Sequence, residues 1–225
     1  MKCIKILVIA LLGISILGCS MRENQGDIDE NSIIWEADLT HDGEKELIFI
    51  EVDEIKKDSQ KPMKISVRKN QKELWSDELY LPGDGNKEYF LLNEKDGDYL
   101  LYYYPENSQG MAYYEYKKFY LEDEKEQIVD SKCVEFPTYQ LAEGETLPLD
   151  NMLDLWESIN ENLQKGYLLG STMEGKLMYS TENEKITKTE EFNAVFESDV
   201  NFKYDKQEND MKEKLLALEK YLQKK

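Results

Sequence analysis

The sequence predicts an α+β protein, with an N-terminal antiparallel β-meander followed by a smaller helix–hairpin–helix part. Three observations point there. Eight short strand-like segments follow one another between residues 33 and 136, separated by turn-forming residues. Beyond residue 148, apolar residues recur at helical spacing instead. The 15 tyrosines, most of them in the strand-rich stretch, provide the aromatic bulk that an acidic disordered chain lacks. The expected organisation is a leader over residues 1–18, a polar tether over 19–31, a β domain over 32–137 and an α+β C-terminal part over 149–225.

At the start, Lys2 and Lys5 precede an apolar and small-residue run over 6–17, closed by Ile16-Leu17-Gly18-Cys19. The run is short for a bilayer span and polar chain follows it, so it reads as a secretory leader. Its ending resembles the bacterial lipobox, in which a glycine or alanine precedes the cysteine; Leu17 is bulkier than the residue that pattern usually carries there. The resemblance implies a diacylglycerol on the Cys19 thiol and cleavage just before it. The mature chain would then be tethered to the extracytoplasmic face of the cell membrane, where two or more acyl chains hold stably and one alone is marginal. Residues 21–31 are polar and acidic without apolar periodicity, as suits a tether.

Loss of the leader leaves about 207 residues, enough for one good core or two small ones. It also removes Lys2 and Lys5, leaving 26 basic residues against 47 acidic ones and a net charge near −21. Such a surface excludes nucleic acid, whose affinity comes from Lys and Arg neutralising phosphates. It equally excludes flat docking on an anionic membrane by charge. Three cysteines make no disulfide framework: Cys3 leaves with the leader, Cys19 is the lipid site, and Cys133 is then alone and reads as a small buried hydrophobe.

Ile33-Ile34-Trp35-Glu36-Ala37 is the first strand, and residues 47–52, almost wholly apolar, are a second, expected to be buried on both faces. Between them lies the one chemical motif. Asp38, Thr40, Asp42 and Glu46 place oxygens at positions one, three, five and nine, Gly43 allows a sharp turn, and the Glu44 carbonyl offers another ligand. That is the kind of oxygen set calcium takes. Phe49 at position twelve and the flanking strands exclude an EF-hand. The loop resembles the calcium loop of FG-GAP and VCBS-type repeats, with Thr40 in place of Asn or Asp and Glu46 in place of Asp. The resemblance implies a structural calcium held by Asp38, Thr40, Asp42, Glu44 and Glu46; the plain alternative is an Asp-Gly turn with surface acids. His41 reads as solvent-exposed.

The remaining strands fall at 63–68, 74–81, 89–92, 98–104, 111–121 and 127–136. Asn70-Gln71, residues 83–86 and Asp96-Gly97 mark turns, and residues 105–110 a loop. Alternation puts Tyr102 and Tyr104 on one face and Tyr99 and Tyr103 on the other, so the tyrosines read first as strand-favouring core residues. A single aromatic platform for a glycan or a protein is not implied. After a linker over 137–148, Leu149, Met152, Leu153, Trp156, Ile159 and Leu163 stripe one helix, stopped by Gly166. Residues 167–169 and 176–179 suggest a hairpin about Glu174-Gly175. Thr187 and Glu190 suggest the capping box of a short helix. Met211, Leu215, Leu218 and Leu222 stripe the last helix.

The order of these parts resembles lipoproteins of Gram-positive bacteria that carry a lipobox, the loop Trp-x-Ala-Asp-x-Thr-x-Asp-Gly (here residues 35–43) and a Ser-Gln-Gly turn (here Ser108-Gln109-Gly110). That family implies a surface protein of unassigned activity and supplies no catalytic residues. The expected function is a binding or interaction module of the envelope, meeting a protein or glycan there. The alternative is a cell-envelope hydrolase using paired carboxylates. A solute-binding lipoprotein would need two lobes. With one histidine, one remaining cysteine, no Gly-x-Ser-x-Gly and no His-Glu-x-x-His, the familiar hydrolase constellations are missing.

Overall fold

The computed structural model describes residues 33–52, 63–79, 87–163, 165–172, 179–180 and 210–224. The leader, Cys19 and the tether lie outside these. So do the expected turn at 83–86, most of the second arm of the 167–179 hairpin and the expected helix at 187–196.

All eight expected strands form: β1 (Ile33–Ala37), β2 (Glu46–Val52), β3 (Met63–Lys69), β4 (Lys72–Leu79), β5 (Glu88–Glu94), β6 (Gly97–Ser108), β7 (Met111–Glu122) and β8 (Lys125–Pro137). They do not make one meander. β1 to β4 pair in order as a four-stranded antiparallel sheet. A second, five-stranded sheet has the order β8-β7-β6-β5-β9, where β9 (Tyr167–Ser171) comes from the C-terminal part.

Tight turns fix part of this pairing. Asn70-Gln71, Gln109-Gly110 and Asp123-Glu124 all take positive φ at both positions. Such two-residue turns match the strand twist and oblige the flanking strands to pair. No such turn joins β4 to β5, and β5 opens the second sheet. The loop expected at 105–110 contracts to the turn alone, because Pro105, Glu106 and Asn107 pair with Tyr114, Tyr113 and Ala112.

Apolar alternation then stacks three layers. Ile48, Ile50, Ile65 and Val67 of the first sheet pack against Leu91, Leu100, Phe119 and Leu121 of the second. The other face of the second sheet, with Phe90, Leu101, Tyr103, Tyr114 and Tyr116, meets the helices. Close approach of the two sheets needs Gly170 in β9, where a Cβ would lie 2.4 Å from Met63 Sδ. β2 is buried on both faces at its centre: Ile48 and Ile50 face the core, and Phe49 on the opposite face is buried with the Arg68 guanidinium 4.4 Å above its ring.

The first helix, α1 (Leu149–Ser158), runs on as a π-helical turn over Ile159–Leu163. It buries Met152, Leu155, Ile159 and Leu163. The last, α2 (Met211–Gln223), buries the stripe read from sequence and is capped by Asp210, whose Oδ1 accepts from Lys212 N at 2.9 Å. The expected linker is packed chain: Leu141 and Leu147 are buried, and Leu141 N donates to Leu222 O at 3.2 Å. Strands and helices of the described residues thus share a core.

β8, at one end of the second sheet, is thirteen residues long. Its pairing with β7 slips between Lys118 and Phe119, where Asp130 and Ile128 are the partners and Val129 is left over as a bulge. Ile128 and Val129 are 52% and 53% exposed.

Candidate functional site

The 38–46 loop is turned inward. Glu46 is fully buried and organises it: Oε2 accepts from Leu39 N at 2.8 Å and Thr40 N at 3.0 Å, and Oε1 from Thr40 Oγ1 at 2.9 Å. Lys69, at the end of β3, reaches the loop from outside the motif. Its Nζ stands 2.5 Å from Asp42 Oδ2, 3.0 Å from Glu46 Oε1 and 3.3 Å from Glu44 Oε2. The ammonium holds the Asp42 carboxyl below its usual range, and Asp42 in turn leads the contacts that raise Lys69.

Of the remaining oxygens, Asp42 Oδ1 accepts from Glu44 N at 2.9 Å and Asp38 Oδ2 from Gly43 N at 3.2 Å. Only Asp38 Oδ1 is buried without a partner. Three carboxylates, Asp42, Glu44 and Glu46, converge on the Lys69 ammonium in the middle of the loop's oxygen set. In this arrangement an ammonium, supplied by β3, stands among the motif's carboxylates.

What the loop does is join the sheets. Asp38 N donates to Asp98 Oδ2 at 2.7 Å, Asp98 N to Asp38 O at 3.1 Å and Leu121 N to Leu39 O at 2.8 Å. His41 is part of this joint and is not free in solvent. Its ring stacks on Tyr120 at 4.3 Å, meets Tyr99 edge-on at 4.9 Å, and its Nε2 lies 3.0 Å from Asp98 O. The ring fills the space beside Gly97, where a Cβ would lie 2.3 Å from it.

A second constellation was not legible as a motif. Where β4 crosses the second sheet there is a cleft of about 280 Å³. Trp75, Ser76 and Asp77 line it from β4, Lys87 and Tyr89 from the start of β5, and Tyr102, Lys117, Phe119 and Glu126 from β6 to β8. Tyr89, Tyr102 and Lys117 are register partners on three adjacent strands, which is why they line up on one face.

Aromatic rings continue this row. Trp75 meets Tyr89 at 5.4 Å, Tyr89 meets Tyr102 at 5.3 Å, Tyr102 stacks parallel to Tyr104 at 6.4 Å, and Tyr104 meets Tyr113 at 6.1 Å. Lys117 Nζ sits 5.1 Å above the Tyr102 ring.

The cleft's polar groups are fixed by one another. Asp77 Oδ2 accepts from Lys87 Nζ at 2.7 Å and from Tyr89 Oη at 2.6 Å, and its Oδ1 from Glu78 N at 2.8 Å. Glu126 Oε1 accepts from Trp75 Nε1 at 2.9 Å. Burial, reinforced by the Asp77 carboxylate, pushes the Tyr89 phenol far above its ordinary range; burial, then Glu115 and Asp77, does the same for Tyr102. Both remain neutral hydroxyls at any physiological pH. The cleft therefore offers aromatic walls, phenol donors, two ammonium groups and two carboxylates, a set suited to a small, hydroxyl-rich, ring-shaped molecule.

Sequence reasoning missed the cleft because its lining comes from five strands. It also misplaced Cys133, which is exposed: alternation on β8 sends its neighbours Val134 and Phe136 inward and Cys133 out. No described helix is long and apolar enough to cross a membrane. No protein-family model, curated protein or solved structure matches this chain.

Proposed function

We propose that this protein is a lipid-anchored envelope module that binds a glycan unit in the cleft between its sheets. The observation that carries the reading is the Trp75–Tyr89–Tyr102 wall beside Asp77, Lys87, Lys117 and Glu126. Pyranose rings present C–H faces to aromatic rings and hydroxyls to charged side chains, and the cleft has the volume of roughly nine waters, room for one sugar ring. Anchoring at Cys19 rests on the lipobox resemblance and would hold the cleft on the extracytoplasmic side. The helix–hairpin–helix order of the C-terminal part belongs to the same reading; Ser180 N donates to Leu168 O at 3.1 Å, as a strand returning beside β9 would.

The hydrolase reading has one observation in its favour, two carboxylates in one cleft. Against it, Asp77 spends both oxygens on protein donors, which suits a scaffold role better than proton transfer. The test is titration with N-acetylhexosamine oligosaccharides, read by tryptophan fluorescence and calorimetry. Saturable binding that Trp75→Ala reduces at least about tenfold supports the proposal, since stacking residues carry most of such affinity. No binding, or release of reducing ends that Glu126→Gln abolishes, sinks it. Mass spectrometry of the native protein tests the anchor: an unmodified Cys19 thiol would remove it.

A further inference from the structure

We infer that Lys69 is the resident cation of the 38–46 loop, and that the loop takes no calcium while that side chain is in place. An ammonium carries three N–H donors and no acceptor. Lys69 has three carboxylates within reach, Asp42 at 2.5 Å, Glu46 at 3.0 Å and Glu44 at 3.3 Å, so its donors are all matched. Glu46 is fully buried, and a buried carboxylate without a partner is strongly disfavoured. The backbone of the loop satisfies the rest of Glu46, and Lys69 supplies the positive charge.

Lys69 is also delivered to this place by the fold. It closes the β3–β4 hairpin opposite Lys72, directly before the Asn70-Gln71 turn, and only 19% of its side chain is exposed. Tethered to a paired strand, it competes with free calcium without losing translational freedom on arrival. A divalent ion would have to expel it and draw Asp42, Glu44 and Glu46 away from its ammonium. The acidic spacing thus serves a cation built into the chain. The inference is independent of the cleft.

The test compares the purified protein, stripped with chelator, with its Lys69→Met variant. The wild type is expected to give no saturable calorimetric response to millimolar calcium and an unchanged melting temperature. Lys69→Met should melt at least about 5 °C lower and regain part of that loss when calcium is added. Saturable calcium binding by the wild type that Asp42→Asn abolishes would overturn the inference. So would a Lys69→Met protein that melts with the wild type. Should Lys69→Met fail to fold, the wild-type titration decides alone, with Lys69→Arg, which keeps the charge, expected to stay as indifferent to calcium as the wild type.

Discussion

The two faces of the second sheet use one residue type in two ways. Along β6 and β7, Tyr103, Tyr114 and Tyr116 point into the helix layer and are buried to within 1%. Their sequence neighbours Tyr102, Tyr104 and Tyr113 point the other way and stay partly exposed, as a row leading out of the cleft. Composition and strand propensity are the same for both sets. What differs is the layer above them: helices cover the first face along its length, whereas β4 crosses the second and leaves Trp75 at the rim. A tyrosine-rich strand is therefore neither core nor platform until the next layer is known.

Large-to-small changes on the two faces should break that comparison most visibly. Tyr114→Ala empties a packed site and should cost about 3–5 kcal/mol of stability in urea unfolding. Tyr102→Ala should cost well under half of that and act on ligand binding instead. Equal losses would mean that the second face is as tightly packed as the first.

A smaller effect is expected where the two layers meet at the Asp98 joint. Gly97 has φ +143°, and a Cβ there would strike the His41 ring. Gly97→Ala should lower stability by about 1–3 kcal/mol. His41→Ala in the same chain should restore part of this, and thermal unfolding of the single and double variants reads the coupling directly. No recovery would show that His41 is not the obstacle.

The smallest effect lies in alkaline titration. Burial and the hydrogen bond to Asp96 push the Tyr99 phenol up to about 12 from its ordinary value of 10.0. A folded-state value above the unfolded one means that its contribution to stability is full below pH 10 and is lost as pH rises through about 12. Absorbance at 295 nm should show Tyr99 ionising before Tyr102 and Tyr116, both of which burial pushes higher still. Tyr102 ionising near its ordinary value would place it in open water.

Much of the fold was legible locally. Alternation located all eight strands and both described helices, because burial on one face of an element leaves a period in the chain. The switch of sheets after β4 was not legible, since a turn signal reads the same whether the next strand pairs with the last one or leaves it. The loop motif was visible as oxygens at fixed spacing; its partner Lys69 was not, because it arrives from another hairpin. The cleft was the least visible, assembled from residues 75 to 126 by register between strands. His41 was misread because its exposure is decided by what packs nearby; Cys133 was legible, since the alternation of Val134 and Phe136 on β8 already turns it outward.

β8 bears on how the protein behaves at high concentration. A flat rim of thirteen residues bearing exposed Ile128 and Val129 would be a template for recruiting strands from other copies, the first step towards fibrils. The slip at Val129 twists that rim, and Asp130 and Lys132 stand directly after it, joined at 2.9 Å. A kink and two charges beside the stickiest residues disfavour edge-to-edge polymerisation of copies at high concentration.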